Sequence, residues 1–107
     1  MSAPVLSVCA VAALALALPV VAASGGLEAR ARLEAASDAA ALAASDAHGG
    51  WIEAEPCDLA AQVLARAGAS LDACEIDESI GDVRVRASLP YLLGAIRVRV
   101  HAGPPFP

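Results

Sequence analysis

The sequence predicts an α+β fold, in which a long N-terminal helix precedes a short second helix and a small antiparallel sheet of about three strands. An uncharged apolar run comes first, and a segment with helical periodicity follows it. Past Gly68 the apolar residues alternate with polar ones, as in half-buried strands. At 107 residues, the chain has room for one small domain beyond the apolar run. We therefore expect a thin core that benefits from a covalent link.

The composition restricts the functions that this chain can have. Hydrophobic residues make up 58% of it, but many are alanines, which bury little area, and there is one Trp, one Tyr and one Phe. The net charge is −5 and lysine is absent, whereas nucleic-acid binding needs clustered Lys and Arg side chains. The sequence therefore predicts no nucleic-acid partner.

The apolar run covers 5–23 and contains no charged residue. In a helix, about nineteen residues at about 1.5 Å each match the ~30 Å thickness of the hydrocarbon layer of a membrane. The sequence therefore predicts a membrane or signal segment over 1–26. Its expected membrane-contact residues are Val5, Leu14, Leu16, Leu18 and Val20.

Two fates of this segment remain open at the level of sequence. Val21-Ala22-Ala23 has the small residues of a signal-peptide cleavage site, so the run could be removed after Ala23. If it is retained, it is a membrane anchor. Arg30 and Arg32 follow the run closely, and by the positive-inside tendency they favour a cytoplasmic C-terminal part.

A helical spine is predicted over 27–50, because the residues there are strong helix formers. Small apolar residues recur in steps of three and four and form one narrow stripe. The packing positions on this stripe are Leu33, Ala36, Ala40, Ala43 and Ala47. Such a stripe permits the close approach of another helix, although an alanine-rich helix of high propensity explains it equally well.

The remainder, 51–103, is predicted to form a small disulfide-linked α+β domain. A second helix begins at Pro56 and stops at Gly68. The tail over 104–107 is rich in proline and is expected to fray. Strands are predicted over 70–77, 83–89 and 96–101.

A hairpin loop over 78–81 sets the register of the first two predicted strands. Pairing across it places Ile76 opposite Val83, Cys74 opposite Val85 and Glu75 opposite Arg84. One face then carries apolar residues toward the helices. The outer face carries Glu75, Arg84, Arg86, Arg97 and Arg99. Charged residues are ordinary on the exposed side of a sheet, and an acid-binding patch is the less favoured interpretation.

Two cysteines, Cys57 and Cys74, lie outside the apolar run, whereas Cys9 lies inside it. The sequence therefore predicts a single disulfide between Cys57 and Cys74. Closing a loop of about seventeen residues contributes about 3 kcal/mol. Two unpaired buried thiols are the alternative. A disulfide indicates an oxidising compartment, and we give it more weight than the arginines. The expected location is the cell membrane with the domain outside, or a secreted protein.

No arrangement of residues predicts an enzyme. The two cysteines and the distant His48 and His101 match no metal-ligand spacing. No glycine-rich phosphate loop follows a strand. We therefore expect no catalytic residue, no metal, no cofactor and no small-molecule substrate.

Several segments, taken together, resemble a known family. They are Ala-Ala-Ser-Asp-Ala-Ala-Ala-Leu-Ala-Ala at 35–44, Glu-Pro-Cys at 55–57, Ala-Gly-Ala-x-Leu-x-x-Cys at 67–74, Asp-Val-Arg-Val at 82–85, and Val-x-Ala-Gly-Pro at 100–104. With the apolar helix before them, they resemble the actinobacterial TadE-like proteins found beside Flp-type pilus and secretion genes. The resemblance covers nearly the whole chain, and the cysteine-containing segments are its most specific part.

The resemblance implies a non-catalytic protein similar to the minor pilins. Its membrane-embedded helix would continue into a spine that carries a small extracytoplasmic domain, and it would pack with other pilus or secretion subunits through its helices. The abrupt lead at 1–4 departs from the polar, basic lead of many relatives, so we expect the true start upstream. Prepilin-type processing is not expected. The alternative is a freely secreted small binding module, released after Ala23.

Overall fold

The computed structural model describes residues 3–103, and it describes their side chains except for those of 21–23. The elements are α1 (Ala3–His48), α2 (Pro56–Arg66), β1 (Ser70–Asp77), β2 (Asp82–Tyr91) and β3 (Gly94–Ala102). The strands form one antiparallel sheet in the order β1-β2-β3. The predicted α+β fold is confirmed. The tail predicted to fray, 104–107, lies outside the described residues.

Helix α1 is a single helix of 46 residues, so the predicted membrane segment and the predicted spine are parts of one element. Pro19 lies inside it, and so do Gly25 and Gly26, although these residue types lower helix stability. The helix ends where Gly49 donates its N–H to the carbonyl of Ser45 at 2.9 Å. The composition changes near residue 26, but the backbone conformation does not.

The core lies between the spine half of α1, helix α2 and one face of the sheet. Helix α1 contributes mostly alanines, which allow its backbone to come close to the other elements. The central strand β2 is the most deeply buried of the three strands. The buried core residues are Leu33, Ala40, Ala41, Ala44, Ala60, Leu64, Ala69, Val83, Val85, Ala87 and Val98.

The predicted stripe on α1 packs within the chain itself. Leu33 and Ala40 belong to the core, Ala36 packs against it, and Ala43 and Ala47 are half-buried. Ala40 is 0% exposed, so no helix of another subunit can contact it in this fold. Leu33, Ala36 and Ala40 therefore pack within the chain, and the expected packing with other subunits stays a prediction. The other buried positions on α1 are Ala29, Ser37, Ala41 and Ala44.

The strand pairing follows the predicted register. The pairs are Ile76 with Val83, Cys74 with Val85, and Glu75 with Arg84. The alternation also agrees, since the arginines of β2 and β3 are exposed while Val83, Val85 and Val98 are buried. The period of two in the sequence therefore identified both faces of the sheet.

Strands β2 and β3 continue closer to their shared turn than the sequence predicted. Their pairing runs on through Pro90 opposite Ala95 to Tyr91 opposite Gly94. Proline has no N–H to donate, so it is disfavoured in a strand that is paired on both sides. Strand β1 pairs with β2 only as far as Ser88. Beyond that point β2 has a neighbour on one side only, so proline is tolerated there.

Ser37 is a buried polar residue on α1, and replacing it tests how the core is packed. It is 0% exposed, and within 3–103 its hydroxyl has no hydrogen-bond partner. An unpartnered buried hydroxyl costs about 1–3 kcal/mol. We expect Ser37→Ala to raise the free energy of unfolding by about 1 kcal/mol, as measured by urea unfolding of the full chain in detergent micelles.

The matched control for this prediction is Ser45→Ala, at a half-buried position of the same helix. Both substitutions gain helix propensity, so the difference between them isolates the burial of the Ser37 hydroxyl. Equal effects of the two substitutions would contradict the prediction.

Candidate functional site

The N-terminal half of α1 is bare. None of the side chains described over 3–20 is buried, although this stretch is strongly apolar. The predicted membrane-contact residues are all exposed: Val5, Leu14, Leu16, Leu18 and Val20. Within 3–103, α1 is the one helix long and apolar enough to cross a membrane, a test that a signal sequence also meets. A helix that is apolar on every side needs an apolar environment outside the chain.

The turn between β2 and β3 lies against α1 at the end of this bare segment. A Cβ atom built on Gly25 would lie 2.9 Å from the hydroxyl oxygen of Tyr91, and one on Gly26 would lie 3.6 Å from ring atom Cε1. The first distance is too short for ordinary contact, so Tyr91 reaches this position because residue 25 is a glycine. The contact gives a reason for a glycine at residue 25 inside a helix, where glycine lowers stability.

The tip of the β2–β3 turn consists of two leucines, Leu92 and Leu93, which are 81% and 107% exposed. The backbone of Leu92 has φ 53°, in the left-handed region that glycine or asparagine usually occupies in tight hairpins. These side chains make little contact within the chain. The sequence did not predict this feature, and the signal for it is a turn whose two tip residues, Leu92 and Leu93, are both apolar.

Basic residues lie close to this turn. Arg32 of α1, Arg66 at the end of α2 and Tyr91 line one shallow recess. Arg30 and Glu34 form an ion pair of 3.1 Å on the neighbouring surface of α1. Both of these side chains are about half exposed, so the ion pair contributes little to stability.

The turn between β1 and β2 lies at the opposite end of the sheet and is polar. Asp77 accepts hydrogen bonds from the hydroxyl and from the backbone N–H of Ser79, the latter at 3.1 Å. These bonds, first the one from the hydroxyl, hold the pKa of the Asp77 carboxyl below its ordinary value. Gly81 lies beside His48, at the end of α1. The two ends of the sheet therefore differ in chemistry.

A buried carboxylate, Asp82, is paired with Arg84 at 3.4 Å and with His101. Its side chain is 8% exposed, so the guanidinium of Arg84 and the imidazole of His101 supply polar partners to a carboxylate that would otherwise be costly to bury. The arrangement joins the start of β2 to the end of β3. Within 3–103, no three His, Cys, Asp or Glu side chains come together as metal ligands would.

The outer arginines do not form a patch of one sign. A broad open recess borders them, and acidic side chains share its lining. This mixture gives no support to the acid-binding patch considered from the sequence. The charged residues of the recess are Arg30, Arg86, Arg97, Arg99, Glu34, Asp38 and Asp72.

The predicted disulfide between Cys57 and Cys74 is present, with the two Cα atoms 5.8 Å apart. It joins the first turn of α2 to β1, two elements that otherwise share few contacts. Cys9 is a free, exposed cysteine in the apolar half of α1.

Removing the disulfide tests its contribution to stability. It closes a loop with a sequence separation of 17, and cross-links of this length contribute about 3 kcal/mol. We expect the Cys57→Ala/Cys74→Ala chain to lose about that much free energy of unfolding, measured in detergent with urea. Cys9→Ala is the matched control and should leave the free energy unchanged. A double variant as stable as the unaltered chain would contradict the prediction.

Comparison of the chain with models of protein families, with curated proteins and with solved structures finds no match. The TadE-like resemblance therefore stays a prediction that rests on the sequence segments described above.

The contact between Gly25 and Tyr91 can be measured with a double-mutant cycle. Alanine stabilises a helix by about 1 kcal/mol relative to glycine, but at residue 25 its methyl group meets the Tyr91 hydroxyl. We expect Gly25→Ala to stabilise the Tyr91→Phe chain by about 1 kcal/mol and the unaltered chain by clearly less. Urea unfolding of the four chains in detergent measures the coupling.

Gly26→Ala is the control for this cycle. Its added methyl group makes an ordinary contact with the ring of Tyr91, so it should stabilise both Tyr91 backgrounds equally. If Gly25→Ala is also insensitive to the Tyr91 hydroxyl, the turn does not dock on α1 as described.

Proposed function

We propose that this chain is a non-catalytic, membrane-anchored accessory subunit, similar to a pilin, of a Tad/Flp-type pilus or secretion assembly. The observation that carries the proposal is the continuity of α1 over Ala3–His48. Its first half is bare and apolar, and its second half forms part of the core of the small domain. A single continuous helix thereby links a membrane to a folded domain, which is the layout that the sequence resemblance implies.

The helical backbone around Ala23 favours a retained anchor over a cleaved signal peptide. Cleavage after Ala23 would cut α1 inside a helix, close to the contact of Gly25 and Gly26 with Tyr91. Proteolytic cleavage concentrates in exposed loops, where the backbone is accessible. The alternative, a small binding module released from the membrane, requires cleavage before this part of α1 and its contact with Tyr91 have formed, or unwinding of the helix afterwards.

The disulfide supports an extracytoplasmic position for the domain. Disulfides persist in oxidising compartments and are rare in the cytosol, and Cys57 and Cys74 are joined in this fold. Arg30 and Arg32 favour the opposite orientation by the positive-inside tendency. We give the disulfide more weight, because the small alanine-rich core gains stability from it.

Contact with other subunits is assigned to the bare half of α1. One face of the spine half is covered by the chain's own α2 and sheet, whereas the side chains described over 3–20, such as Leu14, are exposed on every face of the apolar half. Pilin-like subunits associate through such helices in the membrane, where small and aliphatic side chains pack well.

One experiment tests both the anchor and the association. The full chain carries a C-terminal tag and a photo-cross-linking amino acid at Leu14, with Leu42 as the matched position, since Leu42 is exposed on the spine. We expect an intact chain by mass in the membrane fraction, and cross-links to other subunits from position 14 but not from position 42.

The possible failures have separate meanings. Exported protein that begins at Ser24 would replace the anchor with the secreted binding module. An intact anchor without any cross-link from position 14 would keep the protein in the membrane but contradict the assembly role.

A further inference from the structure

The sheet extends along the whole spine, from its membrane end to its far end. Gly81 lies beside His48, and Tyr91 lies beside Gly25. Between these contacts α1 rises by about 34 Å at 1.5 Å per residue, and β2 covers about 33 Å at 3.3 Å per residue. The two lengths agree. The β1–β2 turn is therefore at the far end of the spine, and the β2–β3 turn is level with the end of the apolar run.

The side chains at this level are those that proteins place at a membrane surface. Leu27 of α1 is exposed beside the two glycines, and Leu92 and Leu93 are exposed at the tip of the turn. Tyr91 lies behind the tip, and Arg32 shares its recess. Tyrosine is enriched at headgroup level, and arginine side chains reach toward lipid phosphates.

We propose that the β2–β3 turn is a second membrane contact, in which Leu92 and Leu93 insert into the interfacial layer of the same bilayer that α1 crosses. Arg32 and Arg66 then face the lipid headgroups. The inference rests on the proposed retention of α1 in the membrane. The occupant is lipid because Tyr91 of the turn packs on α1 at Gly25, five residues beyond the exposed apolar side chains described over 3–20, so the tip leucines lie at the level where that apolar segment leaves the bilayer.

This contact fixes the orientation of the domain. A single transmembrane helix can rotate about its axis and tilt in a bilayer, and anchors at the interface restrict both motions. With the tip leucines inserted, the sheet lies on one defined side of α1 relative to the membrane. The position of α1 in the membrane and the face that the domain presents are then coupled.

Tryptophan fluorescence in vesicles tests the insertion on the full chain. The single native tryptophan, Trp51, is exposed beyond the far end of the spine and serves as the aqueous reference. In a Trp51→Phe background, Leu93→Trp reports the turn and Leu16→Trp reports α1. The vesicles contain phosphatidylcholine and phosphatidylglycerol with brominated acyl chains, which quench tryptophan within the bilayer.

The expected result is a loss of about twofold or more in the fluorescence of the Leu93→Trp chain, a similar loss for Leu16→Trp, and no loss for the native Trp51. Quenching of Leu16→Trp without quenching of Leu93→Trp overturns the inference and leaves the anchor standing. Absence of quenching in both chains overturns the anchor, and the inference with it.

Removal of the leucines gives an independent readout. In vesicles, we expect Leu92→Ser/Leu93→Ser to accelerate amide hydrogen exchange in the β2–β3 turn by about tenfold. Ile80→Ser is the matched control, because Ile80 is the exposed aliphatic residue of the opposite turn, and it should leave that exchange unchanged. Unchanged exchange in the leucine variant overturns the inference. A disulfide cross-link between two copies of the Leu93→Cys chain, together with no quenching of the Leu93→Trp chain, also overturns the inference. That result would show that the turn contacts a second copy of the chain.

Discussion

The packing of other elements on the spine half of α1 is the interaction on which the rest of the structure depends. Helix α2 and strands β2 and β3 all contact α1, and β1 is held through β2 and α2. The contact is close because α1 offers small residues, alanines and Ser37, at all of its buried positions except Leu33. Larger side chains there would push the sheet away from the helix. The alanine content of the chain, which gives little burial energy per residue, is thus what allows these elements to meet.

The disulfide compensates for the weakest part of this arrangement. Strand β1 is an edge strand, and its pairing with β2 contains an irregularity between Leu71 and Ala73. The link from Cys74 to Cys57 ties this strand to α2, which itself packs on α1. A thin core and one covalent link therefore both contribute to stabilising a small domain, near the size where a core alone is marginal.

Local patterns in the sequence predicted much of this fold, and contacts between distant residues account for what they missed. The alternation of apolar and polar residues predicted the two faces of the sheet. The position of the hairpin loop predicted the register that places Cys74 opposite Val85. The buried face of α1 was placed only in part, because an alanine-rich helix offers little contrast between its faces. Tyr91 and Gly25 are far apart in sequence, so no local pattern could predict their contact. The turn at Leu92 was missed because hairpin signals are usually polar.

The equal lengths of β2 and the spine restrict how this protein can change in evolution. One residue inserted into the spine rotates everything beyond it by about 100° and turns the buried face of α1 away from the sheet. An insertion of about seven residues restores the face but adds about 10 Å, so the hairpin would need about three more residues in each strand. Because strand residues alternate between faces, an odd increment would reverse the side on which the turn residues point. The helical and strand periods share no short common multiple, so the spine and the sheet can lengthen together only in a few large steps.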